Sequence, residues 1–124
     1  MKNQTLTPCE AEVMNVVWSQ HAVTVQDVVD AIPRRLAYTT VMTTMKILED
    51  KGYIARGEKR GRAFVYRALV SCNRVSRTTV NDLANRFFDG SVKSLVLNLI
   101  NTRQIKGDDL AELRAAIDSL EQQE

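Results

Sequence analysis

Residues 37–46 read AYTTVMTTMK, and the run continues as KILEDKG to Gly52. Four threonines in two pairs, beside a tyrosine and a valine, give the stretch a local β preference. Strict alternation of polar and apolar residues fails, however, so a half-buried strand would have no consistent inner face. The end of the run decides between the two. LEDKG finishes as helices finish, with a lysine in the last turn and a glycine able to take the left-handed conformation. A helix is therefore predicted, and a helix sorts its residues by angle. At about 100° per residue, Val41, Met45 and Leu48 gather on one face with Thr44 beside them, while Thr39, Thr43, Lys46 and Asp50 lie opposite. Met42 flanks the outer face on one side, and Thr40 and Ile47 flank it on the other.

Two helices precede this one. TPCEAEVMNVVWSQ has Thr7 as N-cap, Pro8 at the first helical position and Glu10 three residues on to close a capping box. Val13, Met14, Val17 and Trp18 then form one apolar stripe. Thr24 caps a shorter helix, VQDVVDAI, in which Val25, Val28, Val29 and Ile32 face inward, with Gln26, Asp27 and Asp30 facing out and Pro33 at the end. After Gly52, YIARGE and RAFVYRAL are β-rich runs separated by the turn-like KRGR, which predicts a hairpin with a basic tip.

From Ser71 onward the pattern is helical. Val75, Thr79, Leu83 and Phe87 share a face, with Gly90 as a stop. SVKSLVLNLINTR follows, with Val92, Leu95, Val96, Leu99 and Ile100 in one stripe and Leu97 off it. DDLAELRAAIDSLEQQ places Leu110, Leu113, Ile117 and Leu120 at spacings of 3, 4 and 3. Three helices of this size bury little alone, so self-association is the expected way to cover them. Leu83, Phe87, Leu95, Val96, Leu99, Ile100, Leu113, Ile117 and Leu120 are the candidate dimerisation residues.

The expected class is mainly α with a small β-hairpin: a winged helix-turn-helix domain over residues 1–70, followed by a three-helix dimerisation region over 71–124. In that architecture the third helix enters the major groove and the hairpin lies against the backbone or minor groove. Charge agrees. Residues 34–67 carry 9 Lys and Arg against 3 Asp and Glu, a net +6, although the whole chain is only +2. Thr39 and Thr43 face the proposed groove, each with a hydroxyl for hydrogen bonding and a methyl for thymine. Thr40 stands at the margin, Lys46 suits a phosphate or guanine, and Tyr38 at the helix start suits a phosphate. Lys59, Arg60 and Arg62 bracket the hairpin tip. The competing reading is a merely solvated polar face, and the rival function is a winged-helix module that binds protein through the same helix.

Other chemistry finds no residues to perform it. At 124 residues, with 44% hydrophobic and 26% charged, the chain is the size of one ordinary domain and has no low-complexity tract. His21 is the one histidine, expected as a solvated residue just past the first helix, and no metal-ligand spacing, catalytic triad or glycine-rich phosphate loop occurs. Glu49 with Asp50, and Asp108 with Asp109, read as solvated charge or helix-dipole partners. Cys9 and Cys72 lack CxxC spacing and are expected as small packing residues. No run approaches the roughly 18 apolar residues of a membrane span, and MKNQTLTPCE lacks the basic and apolar regions of a leader. A cytoplasmic protein with neither cofactor nor metal, and no enzyme, is expected.

Four segments carry a family resemblance. They are E-x-E-V-M-x-x-x-W from Glu10 to Trp18, L-x-x-K-G from Leu48 to Gly52, G-R-x-F-V-Y from Gly61 to Tyr66, and R-F-F-D-G-S-V-K-S-L-V-L-N from Arg86 to Asn98. In order and spacing they resemble the penicillinase-repressor group of bacterial transcriptional repressors, BlaI/MecI/CopY, over nearly the whole chain. The resemblance implies homodimers that bind inverted-repeat double-stranded DNA operators and pair through their C-terminal helices. It also implies, for β-lactam-responsive members, a membrane sensor that triggers proteolysis at an Asn-Phe bond in the dimerisation segment. The matching bond here is Asn98–Leu99, with leucine where that pattern has phenylalanine, so a family regulator answering another signal without cleavage stays open. The copper-responsive branch carries CxC pairs, whereas this chain ends DSLEQQE.

Overall fold

Thr7 opens the first helix, α1 (Pro8–Gln20), by the reciprocal bonds of a capping box. Its hydroxyl accepts from the Glu10 N–H at 3.2 Å, and its own N–H donates to Glu10 Oε1 at 2.9 Å. Thr24 opens α2 (Val25–Ala31) in the same way with Asp27 in the glutamate's place. Asp27, expected simply to face out, is thus half of a second capping box. The threonine-rich stretch is helical as predicted, forming α3 (Tyr38–Asp50). Lys51 is the C-cap rather than a last-turn residue, and Gly52 follows with φ +83°. The Lys51 ammonium does not complement its own helix end but reaches across to Glu10, 3.0 Å from both carboxylate oxygens.

This computed structural model describes residues 5–123. Glu124 and residues 1–4, part of the segment read against a leader, lie outside the described residues.

The hairpin pairs β1 (Ile54–Arg60) with β2 (Ala63–Ala68) antiparallel, from Ile54 opposite Ala68 to Arg60 opposite Ala63, with an irregularity between Arg56 and Lys59. Pairing therefore runs further than the sequence suggests. Lys59 and Arg60, placed in the turn by the KRGR reading, are strand residues, and only Gly61 and Arg62 make the loop. Gly61 takes φ +66°, which closes a two-residue connection that a side chain there would strain. The segment between α1 and α2 adds a bridge, with Val23 and Tyr66 exchanging backbone bonds at 3.0 and 2.7 Å.

Around this frame one core forms. Val13, Met14 and Val17 of α1, Val28 of α2, Val41, Met45 and Leu48 of α3, and Ile54 of β1 are all at most 1% exposed. Trp18 packs beside them and donates its indole N–H to the Val70 carbonyl at 2.9 Å, which ties the end of the hairpin segment to α1. His21 caps α1 in an exposed position, as expected. Cys9 is half-buried, but Cys72 is exposed in its protomer at the start of α4, so the packing role expected of both fits Cys9 alone.

The remaining helices are α4 (Cys72–Phe87), α5 (Val92–Asn101) and α6 (Gly107–Gln122). Packing divides the chain into two compact units, Met1–Thr79 and Val80–Glu124. The first two turns of α4 belong with the first unit, where Val75 packs on the core. In the second unit Ala84 and Leu95 are buried, and α6 has no buried residue.

The Glu10–Lys51 pair generates a pH prediction. Burial raises the Glu10 pKa, but the bonds from Thr7 and Lys51 and the Lys51 charge outweigh it and hold the carboxyl below its ordinary value of 4.5. A carboxyl with a lowered folded pKa stabilises the fold fully above the unfolded value and loses that contribution as pH falls through the folded one. Glu10→Gln is expected to cost roughly 1 to 3 kcal/mol at pH 7. Denaturant unfolding of this variant at a series of pH values should show a smaller loss of stability below pH 4.5 than the parent shows.

Candidate nucleic-acid interface

The inner face of α3 dictates its outer one. With Val41, Met45 and Leu48 buried and Thr44 8% exposed, the helix is clamped in rotation. Tyr38, Thr39, Thr40, Met42, Thr43, Lys46, Ile47 and Asp50 are left exposed. Thr44, predicted to face in, donates its hydroxyl to the Thr40 carbonyl at 2.9 Å and lies 3.5 Å from Cys9 Sγ, so its polar atom is satisfied inside the helix packing. The other three threonines are exposed.

The hairpin is tied to the helices by two ion pairs. Arg60 at the end of β1 meets Asp27 of α2 at 2.9 Å, and Arg56 of β1 meets Glu49 of α3 at 3.3 Å. The Thr24 N–H does most to hold the Asp27 carboxyl below its ordinary value; desolvation opposes it, and the Thr24 hydroxyl and the Arg60 charge and hydrogen bond each add a smaller lowering effect. Both pairs are solvent-exposed on the arginine side, so each adds little stability alone. Their consequence is positional. Phe64 of β2 lies under two cations, with the Arg56 guanidinium 4.7 Å and the Lys59 ammonium 4.9 Å from its ring centre.

Sequence reasoning named Lys59, Arg60 and Arg62 here but missed Arg56, Phe64 and Asp27. The T-x-x-D spacing from Thr24 could have revealed Asp27 as a cap. Nothing local reveals Arg56 and Phe64 as a pair, because their contact depends on strand register. Of the wing cations, Arg60 is engaged by Asp27 and Arg67 by Glu58 at 2.6 Å. Arg35, Lys46, Lys59 and Arg62 have no carboxylate partner among the described residues. They leave positive charge uncompensated before α3, on its outer face and at the hairpin tip, which suits a polyanion.

The sequence-predicted residues of the second unit divide. Leu95 is buried within its own protomer and Leu99 is half-buried. Leu83, Phe87, Val96, Ile100, Leu113, Ile117 and Leu120 are exposed, from 36% at Ile100 to 72% at Phe87. Asn98 is exposed on α5, and its carbonyl accepts from the Thr102 N–H at 2.9 Å and the Thr102 hydroxyl at 2.8 Å. Among the described residues no group of three or more His, Cys, Asp and Glu gathers as metal ligands would. No helix among them is long and apolar enough to cross a membrane.

Three helices, a basic hairpin and a solvent-facing third helix define a winged-helix fold. MarR from E. coli has a similar fold. A cysteine-to-serine mutant of it complexed with operator DNA matches with a TM-score of 0.54 at 12% identity, over 93% of this chain and 75% of that one. The apo form of wild-type MarR gives 0.54 at 11% identity, over 93% and 77%. Residues 6–119 match the family described as Penicillinase repressor, and the chain belongs to that family of transcriptional repressors, as its four segments suggested. The methicillin resistance regulatory protein MecI of Staphylococcus aureus is 29% identical over 92% of this chain and 95% of its own length. A penicillinase repressor of Bacillus licheniformis is 27% identical over 87% and 85%.

Proposed function

We propose that this repressor binds an inverted-repeat DNA operator as a homodimer in the cytoplasm, residues 1–70 holding the duplex and 71–124 pairing the subunits. The observation that carries the reading is the outer face of α3, where Thr39, Thr43 and Lys46 stand exposed beside a wing bearing Lys59, Arg60 and Arg62. Each half-site takes one α3 in the major groove, with Tyr38 and Thr40 at the margin and the wing cations on phosphates. Dimerisation joins two modest binding energies through effective concentration, and repression follows from occlusion. The exposed apolar residues of α4, α5 and α6 are the surface a second copy would cover. The protein acts by binding, and no residue is assigned a catalytic role.

Induction would follow from weakening the dimer. A sensor-linked protease cutting Asn98–Leu99 would sever α5 within that apolar surface. A protease needs an extended substrate, so the two Thr102 bonds to the Asn98 carbonyl must break first. The leucine after Asn98 favours a second reading, in which another signal releases the operator without a cut.

Salt titration of operator binding tests the interface. With roughly 4 to 8 phosphates neutralised per dimer, log K should fall against log salt with a slope near −0.9 per contact. Arg62→Ala should make the slope shallower by about 0.9 for each protomer, and Arg60→Ala should flatten it too. Asp27→Asn, which keeps an acceptor for the Thr24 N–H while removing the charge that holds Arg60, should tighten binding. Slopes indifferent to all three substitutions would place the wing away from DNA.

The dimer is tested separately. Leu113→Asp and Ile117→Asp alter residues exposed in the protomer, so each should leave the winged-helix unit folded. Sedimentation should then show monomers, and operator affinity should drop by about 100-fold or more as the second half-site is lost.

A further inference from the structure

The outer face of α3 lacks the side chains that most often read bases. Between Tyr38 and Asp50 there is no arginine, asparagine or glutamine. Bidentate recognition of guanine by arginine, or of adenine by asparagine or glutamine, is therefore not available from this helix. Lys46 is its one long donor, and Glu49 is already held by Arg56.

Methyl groups are what the face does offer. Thr39, Thr43 and Ile47 follow at i, i+4 and i+8, which places them on one ridge about 12 Å long. All three are exposed, Ile47 by 41%. A single exposed isoleucine is ordinary on a protein surface. This one continues the ridge of the two threonines predicted to meet base edges, with Lys46 on one flank and Thr40 on the other. In the major groove only thymine presents an apolar group, its C5-methyl. At about 3.4 Å per base step, the ridge spans three to four steps.

Resting on the operator-binding reading above, we infer that each half-site is recognised through the C5-methyl groups of its thymines, with Ile47 and the methyls of Thr39 and Thr43 supplying the apolar contacts. The hydroxyls of the same threonines are then free for phosphates or base acceptors. Ile47 becomes a specificity-determining residue, which its position in the second half of the helix did not suggest.

Replacing thymine by deoxyuridine tests this, because the two bases share every hydrogen-bonding group and differ by one methyl. The probe is a duplex enriched from a random pool by the full-length protein, resynthesised with deoxyuridine at each thymine in turn. At the contacted thymine, affinity should fall about fourfold for one half-site and about fifteenfold when both are changed, the amount expected for one buried methyl each. Ile47→Ala should bind the thymine duplex more weakly but lose most of its preference for thymine over uracil at one position, and Ile47→Val should restore part of it. Equal affinity for thymine and uracil duplexes overturns the inference. So does a uracil penalty that persists unchanged in Ile47→Ala, Thr39→Ser and Thr43→Ser. Failure to enrich any duplex would instead remove the operator-binding reading itself, a separate result from an enriched duplex indifferent to uracil.

Discussion

Burial of Val41, Met45 and Leu48 against α1, α2 and the hairpin is the constraint on which the interface depends. Each of these side chains is at most 1% exposed, and burying one contributes roughly 1.5 to 3 kcal/mol. Four threonines together lose only roughly 2 kcal/mol of helix propensity relative to alanine. Packing therefore wins over local preference, and the helix forms where a β-prone composition argued against it. The same burial allows one rotation of α3 and no other. A turn by one residue would expose Met45 and bury a hydroxyl or an ammonium, so the outward set is a consequence of the core.

Around that helix, charge is organised rather than merely abundant. Some of the basic residues of the 34–67 segment are spent on structure: Lys51 on Glu10, Arg56 on Glu49, Arg60 on Asp27 and Arg67 on Glu58. Glu10 and Asp27 are capping-box acids as well as ion-pair partners, so the signals that begin α1 and α2 also hold α3 and the wing. Arg35, Lys46, Lys59 and Arg62 remain without a carboxylate partner among the described residues. A net charge of +6 thus overstates the free charge of the face, and the arrangement, not the sum, makes it suitable for a polyanion.

The C-terminal helices follow a different logic. α6 buries nothing in its own protomer although Leu110, Leu113, Ile117 and Leu120 recur along it. Amphipathic helices of this length are marginal alone and gain most of their stability from packing of the apolar face. On the proposed reading that two copies pair through this surface, whatever loosened the pair would also loosen the grip on two half-sites at once.

Residue pattern alone determined a good deal. The capping box at Thr7, the stripe of α1, the two faces of α3, the glycine turn and the C-terminal helices were all legible, because each rests on contacts within a few residues along the chain. The inward turn of Thr44 was legible for the same reason, since angle on a helix is a local property. Only the tertiary structure decided the rest. It showed that Lys51 answers Glu10 across 41 positions, that Asp27 holds Arg60, that Arg56 and Lys59 share Phe64, and that Cys72 stays exposed in its protomer. These pairs join residues on different elements, and their partners are chosen by strand register and helix packing. A sequence carries periodicity along one chain direction, whereas such contacts exist only after the core has brought distant elements together.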